Sequence, residues 1–181
     1  MNEPTETFIS VDIEASGPSP SIGSLLSIGA CLVADPSVDF YVELKPIDGQ
    51  AWDAQAETVH ELSLEHLMQE GLEPAIAMER FAEWVETVCG GSRAVFVGFN
   101  APFDWMFVAD YLWRYVGRNP FGISALDLKS YFMARDGIEE WQRTRRANVD
   151  EALGLEPDHN HHALDDARGQ ARIAEVLLRP R

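Results

Sequence analysis

The sequence predicts a single α/β domain built on a mixed central sheet with helices on both faces. Three observations carry this reading. Three strand-like segments at the N-terminal end are followed by alternating helical and strand-like segments, the order expected of a sheet covered by helices. With 181 residues and 46% hydrophobic content, the chain can bury one core and is too short for two full domains. No internal repeat, heptad pattern or low-complexity tract points to another architecture. The polar, acidic residues 1–7 read as a flexible N-terminus, which leaves 8–181 as the domain.

The elements follow in order. Phe8 to Glu14 is rich in β-branched and apolar residues and breaks at Gly17-Pro18-Ser19-Pro20, as a strand running into a loop does. Leu25 to Ala34 and Asp39 to Leu44 read as two more strands joined at Asp35-Pro36-Ser37, giving an antiparallel meander. Trp52 to Gly71 reads as loop and short helix. Pro74 opens a longer helix in which Ile76, Phe81, Trp84, Val85 and Val88 recur at helical spacing, and Gly90-Gly91 stops it. Ala94 to Phe99 is a short apolar run of buried-strand type leading into a helix from about Phe103 to Tyr115. Ile123 to Leu128 is one more strand, Leu128 to Ala134 a helix, Asp150 to Leu153 a helical turn, and His161 to Leu178 a final helix.

Charge bears on function. Fourteen basic against 30 acidic residues give a net charge of −16, the wrong sign for a protein that grips a long polyanion by neutralising phosphates. That objection weakens where carboxylates form a cluster carrying divalent cations, because the ions then dominate the field a phosphate meets. No apolar run approaches the roughly eighteen residues of a membrane span, and MNEPTET lacks the basic and apolar regions of a signal peptide. A cytoplasmic protein without membrane contact is expected. Cys31 and Cys89 lack the short spacing of a zinc or redox site and read as reduced thiols.

Three acidic motifs stand out. Asp12 and Glu14 lie two apart on the first strand and therefore point to one face, while Ile13 points to the other. Two close carboxylates raise each other's pKa unless a cation or donor compensates. The alternative is an edge strand with a solvated face. Composition alone gives roughly one D-x-E in this chain, so the weight rests on Val11 and Ile13, which mark a central strand. Asp104 falls just past the buried strand ending at Phe99, at the carboxyl edge where open α/β sheets gather their ligands, although an acid at a helix start also complements the macrodipole. The third motif holds three of the five histidines in Asp158-His159-Asn160-His161-His162-Ala163-Leu164-Asp165-Asp166. His161 and Asp166 are five apart, which places His161 in the loop leading into the helix and Asp166 within it. His162, four before Asp166, is the runner-up, and a structural zinc site from His159, His161 and His162 is a third reading.

The ordered set D-x-E, D, H-x-x-x-x-D resembles the histidine-containing (DEDDh) subgroup of the DEDD, or DnaQ-like, exonucleases. The likeness runs from Phe8–Glu14 through Phe99-Asn100-Ala101-Pro102-Phe103-Asp104 to His161–Ala167, with Thr58-Val59-His60, Ala125-Leu126-Asp127 and Asp150-Glu151-Ala152-Leu153 between. Ala15 and Phe99 depart from it, standing where relatives commonly have threonine and histidine. The resemblance implies a ribonuclease-H-like fold and a 3′-5′ exonuclease that releases nucleoside 5′-monophosphates. It further implies two divalent cations, Mg²⁺ or Mn²⁺, held by Asp12, Glu14, Asp104 and Asp166. Oxygen ligands suit such hard ions. His161 is suited to accept the proton of the attacking water, imidazole having an ordinary pKa of about 6.5.

Substrate contacts are expected beside these motifs. Gly17, His60, Phe103 and Trp105 could hold a terminal base and sugar, aromatic faces stacking bases without reading sequence, although Phe and Trp at a helix start also pack into cores. Arg143, Arg145 and Arg146 form the one concentrated basic segment, which either guides a phosphate backbone or is a solvated loop. The acidic surplus favours single-stranded or short DNA or RNA 3′ ends. The resemblance also allows a homodimer, and with the chain ending just past the final helix no polymerase-tethering tail is expected. The alternatives are a metal phosphodiesterase for small nucleotides and a non-catalytic nucleic-acid-binding module on the same fold.

Overall fold

A computed structural model describes residues 5–52, 62–156 and 161–179. Strands β1 (Glu6–Ala15), β2 (Leu25–Leu32), β3 (Asp39–Glu43), β4 (Arg93–Gly98) and β5 (Ala125–Asp127) form one sheet in the order β3-β2-β1-β4-β5. The first three are antiparallel neighbours, whereas β4 runs parallel to both β1 and β5. The predicted meander and the mixed sheet are both present, and β1 lies at the centre. It opens at Glu6, opposite Arg93, so the sheet takes in two residues read from sequence as part of the N-terminal arm.

The α-helices among the described residues are α1 (Leu64–Glu70), α2 (Pro74–Cys89), α3 (Pro102–Tyr111), α4 (Leu128–Arg135), α5 (Arg146–Leu153) and α6 (Ala163–Leu178). Alternation along β1 divides them into two layers. Ile9, Val11 and Ile13 face Ala77, Phe81 and Val85 of α2 and Phe107 and Tyr111 of α3. The opposite face of the sheet packs Cys31 and Val97 against Phe132, Val149, Ala171 and Ile173 from α4, α5 and α6. Burying a side chain such as Phe81 contributes roughly 2–3 kcal/mol, so each layer is held by many such contacts.

Two segments differ from the sequence reading. The helix expected to reach Tyr115 is α-helical only to Tyr111 and continues as a π-helical turn over Leu112–Val116. The basic stretch from Trp141 to Asn148 is not a loop but a 3₁₀ turn (Trp141–Thr144) running into α5. Its start is hidden in the sequence because arginines occupy the cap and the first helical position, and the first turn has no acidic residue, the usual marker.

The loop between β1 and β2 closes on itself. Ser16 N–H donates to the Ser24 carbonyl at 2.9 Å and Ser24 N–H to Ser16 Oγ at 2.8 Å. Gly17 and Gly23 meet backbone to backbone, and a Cβ on Gly23 would stand 2.5 Å from the Gly17 nitrogen.

Candidate active site

The alternation of β1 puts Asp12 and Glu14 on the face covered by α6. Asp104 lies in the first turn of α3, 4% exposed, and accepts the Ile13 backbone N–H at 3.2 Å through Oδ1. Asp166 lies in the first turn of α6 and is 1% exposed. His161 precedes that helix with φ of 58°, a left-handed conformation that a non-glycine residue adopts rarely. Ligand atoms of Glu14, His161 and Asp166 all lie within 4.8 Å of one another. His162 is turned elsewhere: its ring stacks on Tyr41 at 4.6 Å, and its Nδ1 is 3.8 Å from Asp165 Oδ2.

Electrostatics tie the acids into one group. Burial, then the neighbouring Asp104, Glu14 and Asp166, raise the Asp12 carboxyl well above its ordinary value, while Arg146 pulls the other way. Burial, followed by Asp166 and Asp104, pushes Glu14 up to about 8. Asp104 is also pushed up to about 8 by burial, against the opposing backbone hydrogen bonds it accepts. With Asp104 and Asp166 buried and Asp12 and Glu14 half-buried, these mutually repelling carboxylates are costly to ionise alone and become favourable with a cation between them. The all-oxygen acid set, with one imidazole at its rim, fits a hard divalent ion.

Several residues that hold the site carry no obvious marker in the sequence. In the cross-strand register Asp12 stands opposite Gly29, and Gly29 opposite Tyr41, so these three share a face. Gly29 lets α6 descend onto the sheet, for a Cβ there would lie 2.2 Å from the Ala163 carbonyl carbon. An isolated glycine inside a strand pattern is the one cue that could have flagged it. Asp127 ends β5 and accepts Ala101 N–H at 3.1 Å, bracing the turn before Asp104. Arg168 Nη2 reaches Asp39 at 2.5 Å and fastens α6 to β3.

The predicted substrate contacts divide. Gly17 serves the closed β1–β2 loop described above. Trp105 stands edge-on to Phe96 at 5.2 Å and Phe103 edge-on to Phe107 at 5.4 Å, both packed on the α2–α3 core. That is the core role weighed for them from the sequence. Arg143 and Arg145 are exposed, whereas Arg146 Nε binds both Asp150 oxygens at 3.1 Å and lies over the Phe99 ring at 5.5 Å. The three arginines are therefore not equivalent. His60 and His159 lie outside the described residues. Among the described residues, no helix is long and apolar enough to cross a membrane.

Residues 7–178 match the family described as the 3′-5′ exoribonuclease Rv2179c-like domain. The chain belongs to that family. As an Rv2179c-like domain it is a 3′-5′ exonuclease. It is 44% identical over 178 residues to the 3′-5′ DNA exonuclease Cap18 of Escherichia coli, covering 98% of this chain and 94% of that protein. In fold it is similar to the nuclease domain of 3′hExo, a DEDDh family member bound to rAMP, with a TM-score of 0.75 at 13% identity over 95% of this chain and 91% of that one. It is also similar to Escherichia coli exonuclease I in complex with a dT13 oligonucleotide, with a TM-score of 0.73 at 16% identity over 95% of this chain and 41% of that one. The Rv2179c-like domain thus has the ribonuclease-H-like fold of DEDDh exonucleases, as the ordered motifs implied.

Proposed function

We propose that the chain removes nucleoside 5′-monophosphates from single-stranded 3′ ends, using two divalent cations, Mg²⁺ or Mn²⁺, held by Asp12, Glu14, Asp104 and Asp166. The observation that carries this reading is the convergence of β1, α3 and α6 on one largely buried acidic group with His161 at its rim. When bound, such cations acidify water and stabilise charge on phosphate oxygens. The chain supplies the rest. Asp104 is held by the Ile13 amide, Asp12 is fixed from α6, and His161 stands beside Glu14 and Asp166, where an imidazole can take a proton from an attacking water.

DNA is the favoured polymer, supported by the DNA exonuclease that matches nearly end to end, while the family description favours RNA. The charge of −16 supports short or single-stranded ends over long duplexes, because little of this surface can neutralise phosphates along a helix. The deciding experiment offers 3′-labelled DNA and RNA oligonucleotides side by side, with Mg²⁺, Mn²⁺ or chelator, and includes Asp12→Ala. Metal-dependent release of mononucleotides that disappears in Asp12→Ala is expected. Release that persists in that variant or in chelator would sink the reading.

A further inference from the structure

We infer that Gln170 is a positioning residue that sets the orientation of the Asp12 carboxylate. This rests on the reading of Asp12 as a cation ligand. Gln170 lies on α6 four residues after Asp166, so one helix face presents both the acid and the amide to the sheet. It is 2% exposed and makes two hydrogen bonds: Oε1 accepts the Phe99 backbone N–H at 2.8 Å, and Nε2 donates to Asp12 Oδ1.

The chemistry of the partners leaves the amide a single orientation. A backbone N–H can only donate, so the amide oxygen must face Phe99, which turns the NH₂ group to Asp12. Ser10 Oγ donates to the Ala167 carbonyl at 2.7 Å, two residues before Asp12 on one side and three before Gln170 on the other. The separation of strand and helix is therefore fixed independently of the amide.

A neutral donor is what this place requires. An arginine or lysine there would neutralise Asp12 and compete with a cation for it, and a carboxylate would repel it. The amide occupies one oxygen, holds the plane of the carboxylate and leaves its charge intact. The same side chain touches the end of β4, whose following turn delivers Asp104. One amide thus stands where the three segments bearing the four acids meet.

The test compares Gln170→Met with Gln170→Leu, both of which remove the donor facing Asp12 while keeping bulk between α6 and the sheet. Circular dichroism checks folding, titration calorimetry measures Mn²⁺ binding to the purified chain, and kcat and KM are read on a 3′-labelled single-stranded oligonucleotide. Both variants are expected to bind Mn²⁺ about tenfold to a hundredfold more weakly, with kcat reduced at a fixed cation level and KM for the oligonucleotide within about twofold. A folded variant of either kind that binds Mn²⁺ as the parent does overturns the inference. Asp12→Asn in the same titration separates the two levels. Unchanged Mn²⁺ binding there removes the ligand role of Asp12 and the inference with it, whereas lost binding there beside parental binding in the Gln170 variants refutes the positioning role alone.

Discussion

Gly29 on β2 lies directly beneath Ala163, the first residue of α6, so closely that a Cβ at position 29 would stand 2.2 Å from the Ala163 carbonyl carbon and from Leu164 N. Both contacts are backbone and neither can swing aside. Gly29→Ala must therefore lift the start of α6, which carries Asp166 and adjoins His161. Overpacking of this kind costs about 1–3 kcal/mol, and a shift of about 1 Å at a site can cost on the order of a hundredfold in rate. The expected variant is folded, a few degrees less stable, and at least tenfold slower. Parental activity in Gly29→Ala would show that the helix start is not held by this contact.

Glu14 and Asp104 carry carboxyl groups pushed up to about 8, against roughly 4 for such groups in an unfolded chain. The folded chain binds these protons more tightly, so their contribution is full below about pH 4 and is lost as pH rises through about 8. With chelator present, the thermal midpoint should fall between about pH 5 and 8. Adding Mn²⁺ should raise it most at the alkaline end, because cation binding needs the ionised carboxylates. Differential scanning fluorimetry over that range checks both trends.

His161→Ala and His161→Asn should keep Mn²⁺ binding within about threefold and lose about a hundredfold or more in kcat, the usual contribution of a positioned general base. Asparagine tolerates the left-handed backbone seen here, so the second variant separates strain from chemistry. Calorimetry and single-turnover cleavage measure the two effects. Abolished Mn²⁺ binding would instead make His161 a ligand, and near-parental turnover would remove it from the mechanism.

Tyr41 stacks on His162, and its hydroxyl donates to Glu43 Oε1 at 2.8 Å. Tyr41→Leu should loosen the turn that carries His161 and lower kcat about tenfold with little change in KM, whereas Tyr41→Phe, which keeps the ring, should stay within about threefold of the parent. Equal losses in the two variants would point to the hydroxyl rather than the stack.

The three arginines should separate experimentally. Arg143→Glu and Arg145→Glu change exposed residues and should leave the thermal midpoint nearly unmoved while weakening oligonucleotide binding and flattening its salt dependence. Arg146→Ala strands the buried Asp150 carboxylate and should destabilise the fold by about 3 kcal/mol. Fluorescence anisotropy at several salt concentrations, beside denaturant melts, distinguishes the two behaviours.

β1 is legible from its β-branched and apolar content and β4 from its continuous apolar run, and the period of two along a strand places Asp12 and Glu14 on one face. Asp104 and Asp166 could be read from where apolar runs end and helices begin. The supporting residues could not. Gln170 looks like any polar helical residue, Tyr41 like any strand tyrosine, and their partners are far away in sequence: 158 positions separate Gln170 from Asp12. Periodicity reports which face a residue occupies but not what stands opposite. It also left Trp105 undecided, since an aromatic that stacks on a base and one that packs on Phe96 share the same spacing.

The β1–β2 loop is pinned at its root by Ser16 and Ser24 and by the contact of Gly17 with Gly23, and along its side by the segment after β3, where Gln50 Nε2 donates to the Pro20 carbonyl and Ala51 N–H to the Ile22 carbonyl, both at 2.9 Å. Between the root pins, residues 18–22 form a handle whose far side is tied to Gln50 and Ala51. Because register is set at the root, lengthening the handle at exposed Ser21 costs chiefly the modest entropy of closing a larger ring, while strand register stays as it was. Diversification of such a scaffold has a natural seam at this position, where new surface can be grafted without disturbing the carboxylates on the strand before it.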